Sequence, residues 1–270
     1  MLLRSAAEQA SHRIVFRRRL PSPFSGARMY VSSEGGLRYL RGSMAKVDPA
    51  LLRLASKFVQ PGDVVWDIGA NLGLFSFAAS VAAGPGGRVL AVEADADLTG
   101  LLRRSASANV GRGAPVDVLP SAVCDAVSVA RFQIARRNRS TSHLAGYGTA
   151  MAGGSRSSQL VPSVTLDWLA AWFPAPDVVK IDVEGAELAV LAGAAEVLAG
   201  RPVILCEVGG DNARAVADLL TARGYTLFDG DRLPGERVPV SVAPYNTLAV
   251  AGPRPVAEAA SRQLTGLSPG

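Results

Sequence analysis

Three strand ends carry residues whose types and spacing could do chemistry. The first is Val64-Val65-Trp66-Asp67-Ile68-Gly69-Ala70-Asn71-Leu72-Gly73, an apolar strand that opens through a glycine-bearing turn into a helix. In an open α/β sheet, ligands gather at the carboxyl ends of strands, and such a turn brings backbone N–H groups and a helix N-terminus to that place. Asp67 can order the turn or receive a ligand ammonium, while Gly69 and Gly73 remove a Cβ where something must pass close. A nicotinamide-type turn, G-x-G-x-x-G, does not fit: Asn71 stands at the second glycine position and Leu74 at the third. The pattern suits a ligand without a pyrophosphate.

The second strand end is Val89-Leu90-Ala91-Val92-Glu93-Ala94-Asp95. A carboxylate about this far along the chain can accept both hydroxyls of a ribose. Glu93 fits that role, and Asp95 fits the cap of the next helix. The third is Val178–Val183. Side chains alternate along a strand, so Val178, Lys180 and Asp182 share one face. Lys180 is one of only three lysines, beside Lys46 and Lys57, and an ammonium in an apolar strand needs a partner. Asp182 is the nearest in sequence and Asp67 the nearest across strands. Asp182 could face the reacting atoms, with Lys180 or Glu184 tuning it or helping to remove an acceptor proton; alternatively Lys180 and Asp182 form a buried structural pair. Glu207 ends the following strand and, with Asp182 and Asp211, offers oxygen donors that could hold Mg²⁺, although substrate contacts or capping suit Glu207 and Asp211 better. His143 is a further candidate base, whereas His12 has no assigned role. Cys124 and Cys206 lack any metal spacing and read as small buried hydrophobes. Asn246 suits a turn or strand-edge hydrogen bond as well as a catalytic one.

These residues need a frame that brings strand ends together. The chain supplies seven short β-rich runs, Val64–Ile68, Arg88–Val92, Val116–Leu119, Val178–Val183, Val203–Glu207, Thr226–Phe228 and Thr247–Val250, with helical stretches at about 72–83, 96–109, 165–173, 186–199 and 212–223 between them. That alternation predicts a doubly wound seven-stranded α/β sheet. Before it, residues 1–46 form an extension of short strands (Arg13–Phe16, Arg28–Val31) and turns; Asp48-Pro49 then starts a helix. The domain runs over 47–252, and 253–270 is a loosely ordered tail. One segment breaks the pattern. Between Val127 and Val164 lie a short strand (Val127–Ile134), Arg136, Arg137 and Arg139, and the Gly/Ser-rich run Gly146–Ser158, expected as a long structureless insertion facing the substrate.

Composition narrows the setting. The 270 residues are 49% hydrophobic and 19% charged, which excludes a disordered chain. Two cysteines exclude a disulfide-stapled scaffold and point to a reduced, cytoplasmic setting. The apolar run 64–83 contains Asp67 and Asn71, so no membrane span is expected. The net charge of +5 is uneven: residues 1–60 hold 11 basic and 3 acidic groups, leaving the rest mildly acidic. With no basic stripe interleaved with aromatics on the main domain, and no Asn/Asp-Pro-Pro-Tyr/Phe run after the fourth strand, nucleic acid is not the expected partner.

The runs VWDIGANLGLFS, AVEAD, VTLDWL, VVKIDVEGAELAVLAGA, PVILCEV and NTLAV, in this order over residues 64–250, resemble the FkbM-type S-adenosylmethionine-dependent methyltransferases, K-I-D-V-E-G-A-E (Lys180–Glu187) being the most specific. The resemblance implies a class I methyltransferase (Rossmann-like) fold, S-adenosyl-L-methionine as cofactor, and O-methylation of a sugar, glycan or specialised metabolite. A small-molecule N-methyltransferase and a non-catalytic cofactor-binding protein are the alternatives. It also implies that Asp67, Gly69, Ala70, Asn71, Gly73 and Asp182 line the methionine part of the cofactor, that Glu93 and Ala94 lie by the ribose, and that Ser121 and Ala122 lie by the adenine. The acceptor would be a small hydroxylated molecule.

Overall fold

The computed structural model describes residues 14–40, 42–135, 141–147 and 154–252. His12, Arg136, Arg137, Arg139, part of the Gly/Ser-rich run and the tail after Gly252 lie outside the described residues. At the N-terminus, β1 (Phe16–Arg19) pairs antiparallel with β2 (Arg28–Val31), three residues later than the first strand was expected. Short 3₁₀ turns then lead to α1 (Pro49–Phe58), which starts as expected: Asp48 Oδ1 accepts the Leu51 N–H at 2.9 Å and Pro49 occupies the first turn.

The main sheet holds β3 (Val64–Ile68), β4 (Arg88–Glu93), β5 (Val116–Pro120), β10 (Val178–Ile181), β11 (Val203–Glu207), β12 (Thr226–Asp229), β13 (Pro239–Val240) and β14 (Asn246–Val250), in the order β13-β12-β14-β11-β10-β3-β4-β5. All seven expected strands are present, and the sheet is eight-stranded because the short β13 adds an edge beside β12. Strands β5, β4, β3, β10 and β11 are parallel, while β14 inserts antiparallel between β11 and β12. The chain therefore reverses direction across the sheet at β3, the crevice where doubly wound folds take their ligands.

Helices α2 (Leu74–Ala83) and α3 (Ala96–Ala108) cover one face with α1; α4 (Leu166–Ala170), α5 (Glu187–Ala192), α6 (Ala195–Ala199) and α7 (Ala213–Ala222) cover the other. The single helix expected over 186–199 is two, broken at Gly193. A Cβ there would lie 2.7 Å from the Cys124 carbonyl oxygen, so the chain passes too close to its neighbour to carry a side chain.

The expected structureless insertion is largely a second sheet. Strands β6 (Ala122–Val123), β7 (Ser128–Ala135), β8 (His143–Leu144) and β9 (Ser155–Val164) associate in the order β6-β9-β7-β8, with β7 and β9 antiparallel from Ser128↔Ser163 to Ala135↔Ser155. The serines of the Gly/Ser run occupy the exposed part of β9, while Phe132, Ile134, Leu144 and Val161 alternate inward to make a small separate core. Turn-like composition concealed a strand whose partner lies 20 to 35 residues away.

The N-terminal segment belongs to the main core. Phe24, Met29, Val31, Tyr39 and Met44 are buried in one cluster with residues of α1, α2 and α3. Asn109, at the end of α3, accepts the Arg28 N–H at 2.8 Å and donates to its carbonyl at 2.7 Å; Ser105 accepts the Tyr30 N–H at 2.9 Å. Side chains of a helix thus satisfy the free edge of β2.

Candidate active site

The turn after β3 is held from below. Asp67 is fully buried, with Oδ2 accepting the Ser76 hydroxyl at 2.5 Å and Oδ1 3.2 Å from Lys180 Nζ. Lys180 Nζ also donates to the Gly69 carbonyl at 3.0 Å and lies 3.2 Å from Asp182 Oδ2. Register explains the cluster, because Lys180 sits opposite Asp67 in the β10–β3 pair. Burial works against the ammonium, but Asp182, Asp67 and Glu207 outweigh it and hold Lys180 protonated, its pKa raised above the ordinary lysine value. Lys180 is therefore a fixed cation that ties together two strand ends.

Gly69 and Gly73 have a different use from the one the turn suggested. A Cβ at Gly69 (φ +76°) would fall 1.8 Å from the Asp182 carbonyl oxygen, and one at Gly73 (φ +88°) would meet Phe77 and Leu102 at 2.5 and 2.6 Å. The close approach is made by the protein itself. Asp67 lies beneath the turn, and Asn71 holds the left-handed region at φ +53°.

Above the turn opens a cleft of about 580 Å³, including its mouth, lined by Gly69, Asn71, Glu93, Ala94, Ser121, Ala122, Asp182 and Glu184 with the apolar Leu98, Phe132 and Leu144. The cleft gathers residues from β3, β4, β5 and β10, and its far wall is the second sheet. Glu93 Oε2 accepts the Asn71 N–H at 2.7 Å and Oε1 the Asp95 N–H at 2.8 Å. Burial pushes its pKa up to about 7, against the pull of those two N–H groups. Asp95 Oδ1 accepts the Asp97 N–H, the expected helix cap. Ser121 is turned aside, its hydroxyl donating to carbonyls of Ala122 and Pro162.

A second, wider cleft adjoins it, between the tip of β8 (Thr141, His143, Tyr147) and the loop Gly209–Asn212 after β11, with Tyr245 on its wall. Glu184 lines both clefts. It sits at φ +52° in the turn after β10, and burial, together with Asp182, Glu207 and Glu187, pushes its carboxyl up to about 8. His143 Nδ1 lies 3.2 Å from the Thr141 carbonyl oxygen; a carbonyl can only accept, so the neutral ring keeps its basic lone pair on Nε2. Glu207 accepts the Tyr245 hydroxyl at 2.6 Å, and burial, then Asp182, raise its pKa. Asn246 donates to both oxygens of Asp231, at 3.1 and 2.9 Å, a strand-edge role. Among the described residues no group of three or more histidines, cysteines and carboxylates is placed to hold a metal ion. Both cysteines are buried and free, and no helix among the described residues is long and apolar enough to cross a membrane. Tyr245 and the cleft-facing Phe132, Ser142 and Leu144 carry no sequence signal of function; only their neighbours Asn246 and His143 do.

The model of the methyltransferase FkbM domain matches residues 67–227, more than half of the chain. The chain belongs to the FkbM methyltransferase family. It has the class I, Rossmann-like fold of S-adenosylmethionine-dependent methyltransferases. Among solved structures, it is similar to an FkbM methyltransferase from Methylobacillus flagellatus KT (15% identity, TM-score 0.44, covering 79% of this chain and 56% of that one). It is also similar to a precorrin-6y C5,15-methyltransferase from Geobacter metallireducens GS-15 (16%, 0.43, 76% and 84%) and to a SAM-dependent O-methyltransferase from Thermotoga maritima (14%, 0.43, 74% and 63%). No curated protein matches the sequence. The family match begins at Asp67, so the N-terminal segment and α1 lie outside it.

Proposed function

We propose that the chain methylates a hydroxyl of a small sugar, glycan or specialised metabolite, with the cofactor in the cleft above the β3 turn and the acceptor in the adjoining one. When bound, S-adenosylmethionine supplies an electrophilic methyl group on a sulfonium. The residues of the first cleft fit it. Each Glu93 oxygen holds one backbone N–H and keeps a lone pair, so the carboxylate can accept both hydroxyls of a ribose. Ala94, Ser121 and Ala122 leave room for an adenine between β5 and the second sheet, and Gly69, Asn71 and Asp182 border the space left for the methionine end, with Ala70 behind them on the adjoining cavity. Asp67 and Gly73 serve this site by shaping its turn.

The observation that carries the reading is Glu184, the ionisable side chain shared by the two clefts. Once ionised, a carboxyl raised to about 8 is a far better proton acceptor than an ordinary one, so turnover is expected to rise as pH approaches 8. Glu184 takes the acceptor hydroxyl proton, Asp182 orients the hydroxyl, and His143 on the opposite wall is a second polar contact. Lys180 holds Asp182 in place and takes no proton. Methyl transfer is an in-line displacement, so much of the rate comes from holding the two partners in line. Residues 47–252 act as the methyltransferase domain, and 1–46 as an extension packed against it. The setting proposed is cytoplasmic, and the partner a small molecule rather than a nucleic acid.

The test is to incubate the purified chain with S-adenosylmethionine and a panel of sugars, glycosides, hydroxylated metabolites and amines, locating the new methyl group by NMR. Methyl on oxygen is expected, with turnover lost in Asp182→Asn and Glu184→Gln while S-adenosylhomocysteine still binds. Methyl found only on nitrogen would replace this reading with amine methylation. Full activity in Asp182→Asn would remove that residue from the mechanism.

A further inference from the structure

A third cavity lies on the other side of the β3 turn, between the N-terminal segment and the core. Arg38, Tyr39 and Asp48 line it from outside the family match; Ala70, Asn71, Leu74 and Phe75 come from the turn and the start of α2, and Lys180, Asp182 and Glu207 from the strand ends. It meets the cofactor cleft at Asn71 and Asp182, which line both. The two spaces therefore border one another across the turn.

Its chemistry has both signs. Arg38 is exposed, makes no ion pair with a described residue, and leans over the Tyr39 ring with Cζ 5.7 Å from the centroid. Beside it, α2 begins at Gly73 with no side chain capping it, and the residues of its first turn, Leu74 and Phe75, face the cavity. The first N–H groups of a helix have no partner within it and attract negative charge. A guanidinium and an open helix N-terminus together prefer an anion. Across the cavity Lys180 already pairs with Asp182 at 3.2 Å, while Asp48 and Glu207 add negative charge that prefers a cation, and the Asn71 side-chain oxygen, buried without a hydrogen-bond partner, can accept from one. Few small groups present an anion and a cation two bonds apart; the α-carbon of an amino acid does.

We propose that Arg38, with the open N-terminus of α2, binds the α-carboxylate of the methionine moiety of the cofactor, so that a segment outside the family domain completes the cofactor site. The inference rests on the reading of the first cleft as the cofactor cleft. The α-ammonium then lies toward the Asn71 side-chain oxygen and Glu207, and the sulfur toward the junction with the acceptor cleft. Burial of Tyr39, 3% exposed, and the Asp48 cap of α1 fix the wall from which Arg38 reaches.

Two ligands separate the contributions. S-adenosylhomocysteine carries the amino-acid end, whereas 5′-methylthioadenosine shares the adenine and ribose and lacks it. Calorimetric titration of the full chain is expected to show Arg38→Ala weakening S-adenosylhomocysteine by about tenfold or more, leaving 5′-methylthioadenosine within about twofold, and Arg38→Lys restoring part of the loss. Glu93→Ala should weaken both ligands alike. Arg38→Ala without effect on S-adenosylhomocysteine, or with equal effects on both ligands, would overturn the assignment and leave the cofactor cleft standing. If the unaltered chain bound neither ligand, the cofactor reading and this inference would fall together. Because Arg38 is at the surface, an unchanged thermal midpoint in the variant is expected and excludes misfolding as the cause.

Discussion

Glu184 is the side chain at which local conformation, burial and charge converge. It holds a left-handed backbone between Val183 and Gly185, and Asp182, Glu207 and Glu187 all oppose its ionisation. A carboxyl whose folded pKa is about 8 against an ordinary 4.5 favours the fold most when protonated. Its contribution is therefore complete below about 4.5, declines as pH rises, and is lost above about 8, the sign opposite to that of a salt-bridged carboxylate. Urea denaturation across this range should show the unaltered chain losing stability relative to Glu184→Gln as pH increases. A constant difference between the two would mean that Glu184 titrates as an ordinary surface carboxylate. The sequence marked this residue within K-I-D-V-E-G-A-E, and it marked Glu93 by its place at a strand end and the Lys180–Asp182 face by strand alternation. Asn71, Gly69 and Gly73 were visible too, but their reason was not: the Asp182 carbonyl that excludes a Cβ at Gly69 comes from a strand more than a hundred residues away, and single-chain periodicity carries no such distance.

At the scale of elements, what the sequence made legible is what local pattern controls. The seven strands and the α1 start follow from apolar runs and capping residues read within a few positions. The second sheet did not, because the composition of β9 is that of a loop and only its pairing with β7 makes it a strand. The break at Gly193 was hidden for a similar reason. There Asp167 Oδ1, in α4, accepts the N–H groups of Glu196 and Val197 at 3.0 Å each, capping α6 from a neighbouring helix. The first turn of α6 has no cap of its own, as Ala194 precedes it. Asp167→Ala should therefore cost about 1 kcal/mol, the usual loss for a helix cap, measured as a lower urea midpoint with an unchanged slope. Because α6 is remote from the clefts, affinity for S-adenosylhomocysteine should stay the same.

For the whole molecule, the boundary at residue 46 seen in the sequence is not a boundary in the core. The match to the family starts at Asp67, yet Phe24, Met29, Val31, Tyr39 and Met44 are buried with residues of α2 and α3, and β2 has its edge satisfied by Ser105 and Asn109. The same segment reaches the second sheet, where Glu34 and Arg156 pair at 2.8 Å. That pair is partly buried, but it is a single contact beside a cluster of buried apolar side chains, so the attachment depends chiefly on the cluster. Removing residues 1–46 would uncover that cluster over α2 and α3, leave the Asn109 and Ser105 side chains without their backbone partners, and open the wall that faces Asn71. The truncated chain is expected to lose its sharp thermal transition or to aggregate, and to bind S-adenosylhomocysteine far more weakly than the full chain. If 47–270 instead unfolded cooperatively at the original midpoint, the N-terminal segment would be a separable appendage, and the burial of its five apolar side chains would contribute nothing to the stability of the domain.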